Sequence, residues 1–216
     1  MRRLTFALAI IAAALVLTAG KPVKKVACIG DSITFGFGMN MSEWGTHNMP
    51  AVLQGLLGEG YEVKNFGFNS RTMMMSGDHP YMKEKMYQDA KDFEPDIVTI
   101  MLGTNDTKPG LWTDADEYAR DLTTMVKEMK ALKRKVKVYV CYPAWVAKPT
   151  WGINDSTIVN YMIPAIDKVA RKNRLKVIDT HKTLEGQADK YIMDGVHPNA
   201  AGAAMIAEDI YKAIRR

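Results

Sequence analysis

The chain has 216 residues, 47% of them apolar and 25% charged, a balance that suits one globular domain with a full core. Such proportions exclude a disordered, collagen-like or disulfide-scaffold protein. A formal charge of +5 is too mild to argue for nucleic acid.

Met1-Arg2-Arg3 precedes an uncharged, Ala- and Leu-rich run from Leu4 to Gly20, which ends on the small residues Thr18-Ala19-Gly20. A basic start, an apolar stretch and small residues read as a secretory signal peptide over 1–20, with the globular domain over 21–216. An uncleaved anchor is the competing reading, at the short end of a membrane span. With the leader removed, no stable membrane association is expected.

Past Lys21, short β-branched runs alternate with longer helical patterns. Strands are predicted over Val23–Ile29, Tyr61–Phe66, Asp96–Leu102, Val136–Tyr142 and Leu175–Ile178. The clearest helix begins at Thr113, with Asp116 as its capping-box partner, and runs to Leu132. Acids fill its first turn and Lys127, Lys130, Lys133 and Arg134 its end, complementing the helix dipole. A second helix spans Asp155–Lys172, kinked at Pro164, and a third spans Asn199–Ile214. This alternation implies right-handed crossovers and a parallel sheet covered on both faces. Cys28 and Cys141 fall in separate strands, so two buried free thiols are expected.

In such sheets ligands bind beyond the carboxyl ends of the strands. Gly30-Asp31-Ser32-Ile33-Thr34 follows the first strand, and Gly67-Phe68-Asn69-Ser70 the second. Gly103-Thr104-Asn105-Asp106 follows the third, and Asp194-Gly195-Val196-His197 comes after the fifth. Together they place a hydroxyl, a glycine turn, a carboxamide and an Asp/His pair on one rim. Acyl transfer to serine needs this set. A hydroxyl needs an imidazole to take its proton, and the imidazole needs an acceptor to fix its tautomer. The Ser32 amide, the Gly67 amide and the Asn105 side chain can supply donors for an oxyanion.

These segments resemble the signature blocks of the SGNH hydrolases, also called GDSL esterases and lipases. Gly30-Asp31-Ser32-Ile33 stands for Gly-Asp-Ser-Leu, Gly67 for the second-block glycine, Gly103-Thr104-Asn105-Asp106 for Gly-x-Asn-Asp, and Asp194-x-x-His197 for the closing motif. The likeness spans Val26 to Pro198 and implies a flavodoxin-like three-layer α/β/α sandwich, with a five-stranded parallel sheet in the order 2-1-3-4-5. It implies Ser32 as nucleophile, His197 as base, Asp194 as its partner, and Ser32, Gly67 and Asn105 as oxyanion donors. Two departures are Ile33 for leucine and Gly-Phe-Asn-Ser-Arg where many relatives have Gly-x-Ser-Gly.

Gly36-Phe37-Gly38 lacks the third glycine of a dinucleotide fingerprint, and no Walker, His-Glu-x-x-His or Cys-x-x-Cys pattern occurs. No cofactor or metal is therefore implied. The resemblance is strongest to small secreted carbohydrate O-acetylesterases acting on sialate or xylan, which implies a small-molecule or carbohydrate ester as partner. Asp31, Arg71, Trp112 and Trp145 are candidate substrate-binding residues, with Arg71 free to meet a substrate carboxylate or a local acid. Met73-Met74-Met75 could equally line a groove for a longer acyl chain, as in a lysophospholipase or thioesterase. A catalytically silent sugar binder is the reading from another class. The sequence sets no oligomeric state.

Overall fold

The computed structural model describes residues 22–215, so the expected leader over 1–20 lies outside the described residues. In chain order the elements are β1 (Lys24–Gly30), α1 (Ser32–Phe35), α2 (Met41–His47), α3 (Met49–Leu57), β2 (Tyr61–Gly67), α4 (Lys85–Asp92) and β3 (Ile97–Met101). They continue with α5 (Ala115–Ala131), β4 (Lys137–Cys141), α6 (Asp155–Thr157), α7 (Ile163–Asn173), β5 (Lys176–Ile178), α8 (Thr180–Leu184) and α9 (Ala200–Arg215). The pairings within this sheet are parallel and the order is β2-β1-β3-β4-β5, as expected.

Period-two alternation splits the core between the two faces of the sheet. Val26 and Cys28 on β1 point to the face packed by Leu53 of α3 and by Ile206 and Ile210 of α9. Ala27 and Ile29 point to the other, with Leu122 and Met125 of α5 and Ile166 of α7. The central strand β3, Ile-Val-Thr-Ile-Met, is buried at every position, as a strand covered on both faces must be. Among the described residues no helix is long and apolar enough to cross a membrane. β3 lies between β1 and β4, and both Cys28 and Cys141 are buried and free.

Two helix predictions change in detail. The cap of α5 is Asp114, whose carboxylate accepts the Glu117 amide at 2.6 Å, and not Thr113. Thr113 instead hydrogen-bonds the Glu117 side chain. The predicted helix over Asp155–Lys172 is interrupted by a π-helical turn at Ile158–Met162 before α7. The run is otherwise continuous to Asn173, and Pro164, which has no N–H to give, follows the π turn by two residues.

Because β2 and β3 flank β1 on opposite sides, the connections leaving β1 and β3 diverge at their carboxyl ends. That opens a crevice at the switch point of the sheet. The segments after β1 and β3 carry Ser32 and Asn105.

Candidate active site

Asp31 leaves β1 and caps α1, its Oδ1 accepting the Ile33 amide at 2.9 Å. Ser32 is thus the first residue of a one-turn helix, where its own amide has no intrahelical acceptor. The turn is packed tightly from both sides. A Cβ on Gly30 would stand 2.0 Å from Thr34 Oγ1, and one on Gly67 would stand 2.2 Å from the Phe35 nitrogen. Both glycines are therefore required for the close approach of backbone to the serine-bearing turn.

The Ser32 hydroxyl is 2.8 Å from Nε2 of His197, although the two residues are 165 apart in sequence. Nδ1 of His197 is 2.7 Å from Asp194 Oδ2. Asp194 Oδ1 accepts the amides of Val196 and His197 at 2.8 and 2.9 Å, which closes the turn carrying the ring. Burial alone would raise the Asp194 carboxyl; these amides and the imidazole outweigh it and hold the group below the usual carboxylate range. With a carboxylate accepting at Nδ1, the proton sits there and Nε2 is left to accept from Ser32. The pair lies in the connection between α8 and α9, so α8 intervenes between β5 and the closing motif.

Ser32, Asn105 and Ser70 line one cavity and carry the candidate oxyanion donors, which differ in one member from expectation. Asn105, buried in the 3₁₀ turn after β3, donates one Nδ2 hydrogen to the Arg71 carbonyl at 3.2 Å and keeps a second. Gly67 is not a free donor, since its amide is bound to Asn65 Oδ1 at 2.8 Å. The Ser70 amide is available in its stead. Ser70 lines the same cavity as Ser32 and Asn105, and among the described residues its amide makes no hydrogen bond. Its φ of 67° lies in the left-handed region, at a cost of about 1–2 kcal/mol for a residue with a Cβ. The segment bearing it is held by Asp106, fully buried, which accepts the Met73 and Met74 amides at 2.9 and 2.7 Å. Burial pushes Asp106 up to about 7 and Asp31 up to about 6, against the lowering pull of their backbone donors.

Asp106→Ala strands two buried amides, so the free energy of unfolding in urea should fall by about 2–5 kcal/mol. Asp106→Asn keeps one acceptor oxygen and should lose less. Equal stability of all three proteins would show that the carboxylate does not hold this segment.

A cavity of about 350 Å³ opens over Ser32, Asn105 and His197. Phe37 and Trp151 wall it, their rings 4.6 and 5.9 Å from that of His197, and Lys108, Asn69 and Ile153 complete the lining. None of Asp31, Arg71, Trp112 and Trp145 lines it. Asp31 is buried as a helix cap. Arg71 pairs with a local acid, Glu84, at 2.9 Å and stacks 3.5 Å over the ring of Phe68. Trp112 packs on Tyr118, and Trp145 on Tyr191, where each covers core. Met73 and Met74 are fully buried and likewise take no part in the cavity. Phe37 and Trp151 were visible in the sequence as aromatics, but only the folded chain separates wall from filler. The arrangement can activate a hydroxyl for attack and stabilise an oxyanion beside it.

Comparison with known proteins is consistent with this geometry. The model of the GDSL-like lipase/acylhydrolase family matches residues 28–205. A protein of Xylanibacter ruminicola named acetylxylan esterase is 43% identical over 208 residues, covering 88% of this chain and 43% of that protein. The chain spans less than half the length of the curated relatives it matches. Among solved structures, a carbohydrate acetylesterase of Sinorhizobium meliloti superposes with TM-score 0.73 at 20% identity, over 89% of this chain and 98% of that one. An aryl esterase of M. smegmatis gives 0.73 at 19%, over 89% and 99%. At that identity the superpositions speak for the fold alone.

Proposed function

The chain belongs to the GDSL-like lipase/acylhydrolase family, and from that premise we propose that it is an exported serine esterase removing short acyl groups, acetyl foremost, from carbohydrate such as xylan or sialate. The observation that carries this reading is the hydrogen-bonded sequence Ser32–His197–Asp194, whose first two members line an open cavity. Ser32 attacks the ester carbonyl while His197 takes the hydroxyl proton. The charge on the tetrahedral oxygen is met by the amides of Ser32 and Ser70 and by Asn105 Nδ2. His197⁺ then protonates the leaving sugar oxygen as the acyl-enzyme forms, and water activated by the same ring releases the acid.

Acetyl is favoured by two observations. The 43% identical relative bears the name acetylxylan esterase. The methionines suited to an acyl groove, Met73 and Met74, are spent in the core beneath the site. The walls that remain, Phe37 and Trp151, suit stacking on a sugar ring. Export follows from the reading of residues 1–20 as a cleaved leader.

Hydrolysis of p-nitrophenyl esters from acetyl to dodecanoyl tests the acyl preference. We expect kcat/KM to fall steeply beyond butyryl, by tenfold or more at octanoyl. A rise toward long chains would replace the deacetylase by a lysophospholipase or thioesterase. No hydrolysis of any ester by folded protein would leave a sugar binder.

A further inference from the structure

We propose that Lys108 is the carboxylate-recognising element of the leaving-group subsite, so that the preferred substrates are acyl esters of acidic sugars, a uronate ring bearing the ester or lying next to it. The inference rests on the esterase reading of the cavity and adds its substrate class.

Among the described residues Lys108 is the one lysine or arginine that lines the cavity, and no aspartate or glutamate lines it. The side chain is half-buried, and among the described residues its ammonium makes neither an ion pair nor a hydrogen bond. Arg71, which the sequence offered for a carboxylate, is already neutralised by Glu84. Asp31, buried beneath the site, is the carboxyl that feels this charge, but it makes no contact with it; a cation lining a concave, partly apolar space with no carboxylate in contact attracts an anionic ligand more strongly than one on an open surface.

The position of Lys108 is also fixed. Its amide bonds the Asn105 carbonyl at 3.2 Å, at the end of the turn that supplies the Asn105 donor. Thr107 is tied to Asn154 by two hydrogen bonds, of 3.1 and 3.0 Å. Pro109 packs so closely on Gly152 that a Cβ there would stand 2.3 Å from its ring. Gly152 follows Trp151, so the ammonium stem and the indole are carried on two loops docked against each other. An aromatic face beside a cation matches a sugar ring that bears a carboxylate: the ring's C–H face lies on the indole, and the carboxylate meets the ammonium.

The test uses a matched pair of mono-acetylated methyl glycosides, glucoside and glucuronoside, which differ only in CH₂OH against carboxylate. The wild type should favour the glucuronoside in kcat/KM by about fivefold at low salt, the scale of a charge-assisted hydrogen bond at a half-open site, with less preference at high salt. Lys108→Met should abolish the preference and Lys108→Arg should retain it. If Lys108 acts instead on the oxyanion or on Asp31, Lys108→Met slows both esters alike and the ratio stands, which overturns the assignment. p-Nitrophenyl acetate run alongside separates the two levels of the argument. Its hydrolysis by wild type without a glucuronoside preference overturns the Lys108 assignment alone, whereas no hydrolysis of any of the three esters overturns the esterase reading as well.

Discussion

Ser32→Ala should lower kcat for p-nitrophenyl acetate by about 10⁵–10⁶-fold, the scale found when a triad nucleophile is removed. The effect is large because Ser32, His197 and Asp194 act as one unit, so loss of the hydroxyl also idles the other two. The fold should survive. The hydroxyl's partner is His197 Nε2, and alanine is well suited to the first turn of a helix. Unfolding midpoints should therefore agree closely between the two proteins, and covalent labelling by an organophosphonate should vanish. Persistent labelling in the variant would place the nucleophile elsewhere.

The second large effect is expected from Asp194→Asn, about 10⁴-fold in kcat with KM little changed. Asp194 does two jobs with two oxygens. Oδ1 accepts the Val196 and His197 amides, and asparagine can keep that oxygen in place. Oδ2 accepts from Nδ1 of His197, where asparagine presents an NH₂ group instead. Two donors cannot face each other, so the ring must move its proton to Nε2, the nitrogen that otherwise accepts from Ser32. The turn stays and the base is lost. KM is spared because Asp194 does not line the cavity. A variant within tenfold of wild type would mean that the ring is oriented by something other than this carboxylate.

The strands were legible because a sheet covered on both faces needs continuous apolar β-branched runs, and Ile97–Met101 and Lys137–Cys141 are such runs. The strand order came through the family resemblance and agrees with the sheet. The helices α1 to α3 were not legible. α1 is one turn long and α2 buries no residue, so neither leaves a periodic stripe.

In the site, Ser32, Asp194 and His197 stood out because their chemistry is carried in side chains at strand ends. The proposed Ser70 donor did not, because which backbone amide is left free is decided by the fold and not by residue type. Whether Gly67 or Ser70 offers a free amide depends on where Asn65 points and on one positive φ, and residue identity shows neither. Asn-Ser where a glycine is usual was the available hint. The substrate wall was hidden for a related reason. Trp112, Trp145 and Trp151 are the same residue type, and only packing decides that Trp112 and Trp145 cover core while Trp151 faces the cavity.

The two buried thiols have a consequence for how the molecule opens. Burial pushes Cys28 up to about 12 and raises Cys141 as well, so neither offers a thiolate at neutral pH. Cys28 is paired across β1 with Asn65 of β2 and Thr99 of β3, and Cys141 is at the far side of β3. No alkylating reagent reaches either sulfur until the helices that cover this face of the sheet, α3 and α9, have come away. The chain therefore carries its own clock for the opening of this core face: the rate at which it consumes a thiol reagent counts departures of the covering helices and ignores the fraying of loops around the cavity.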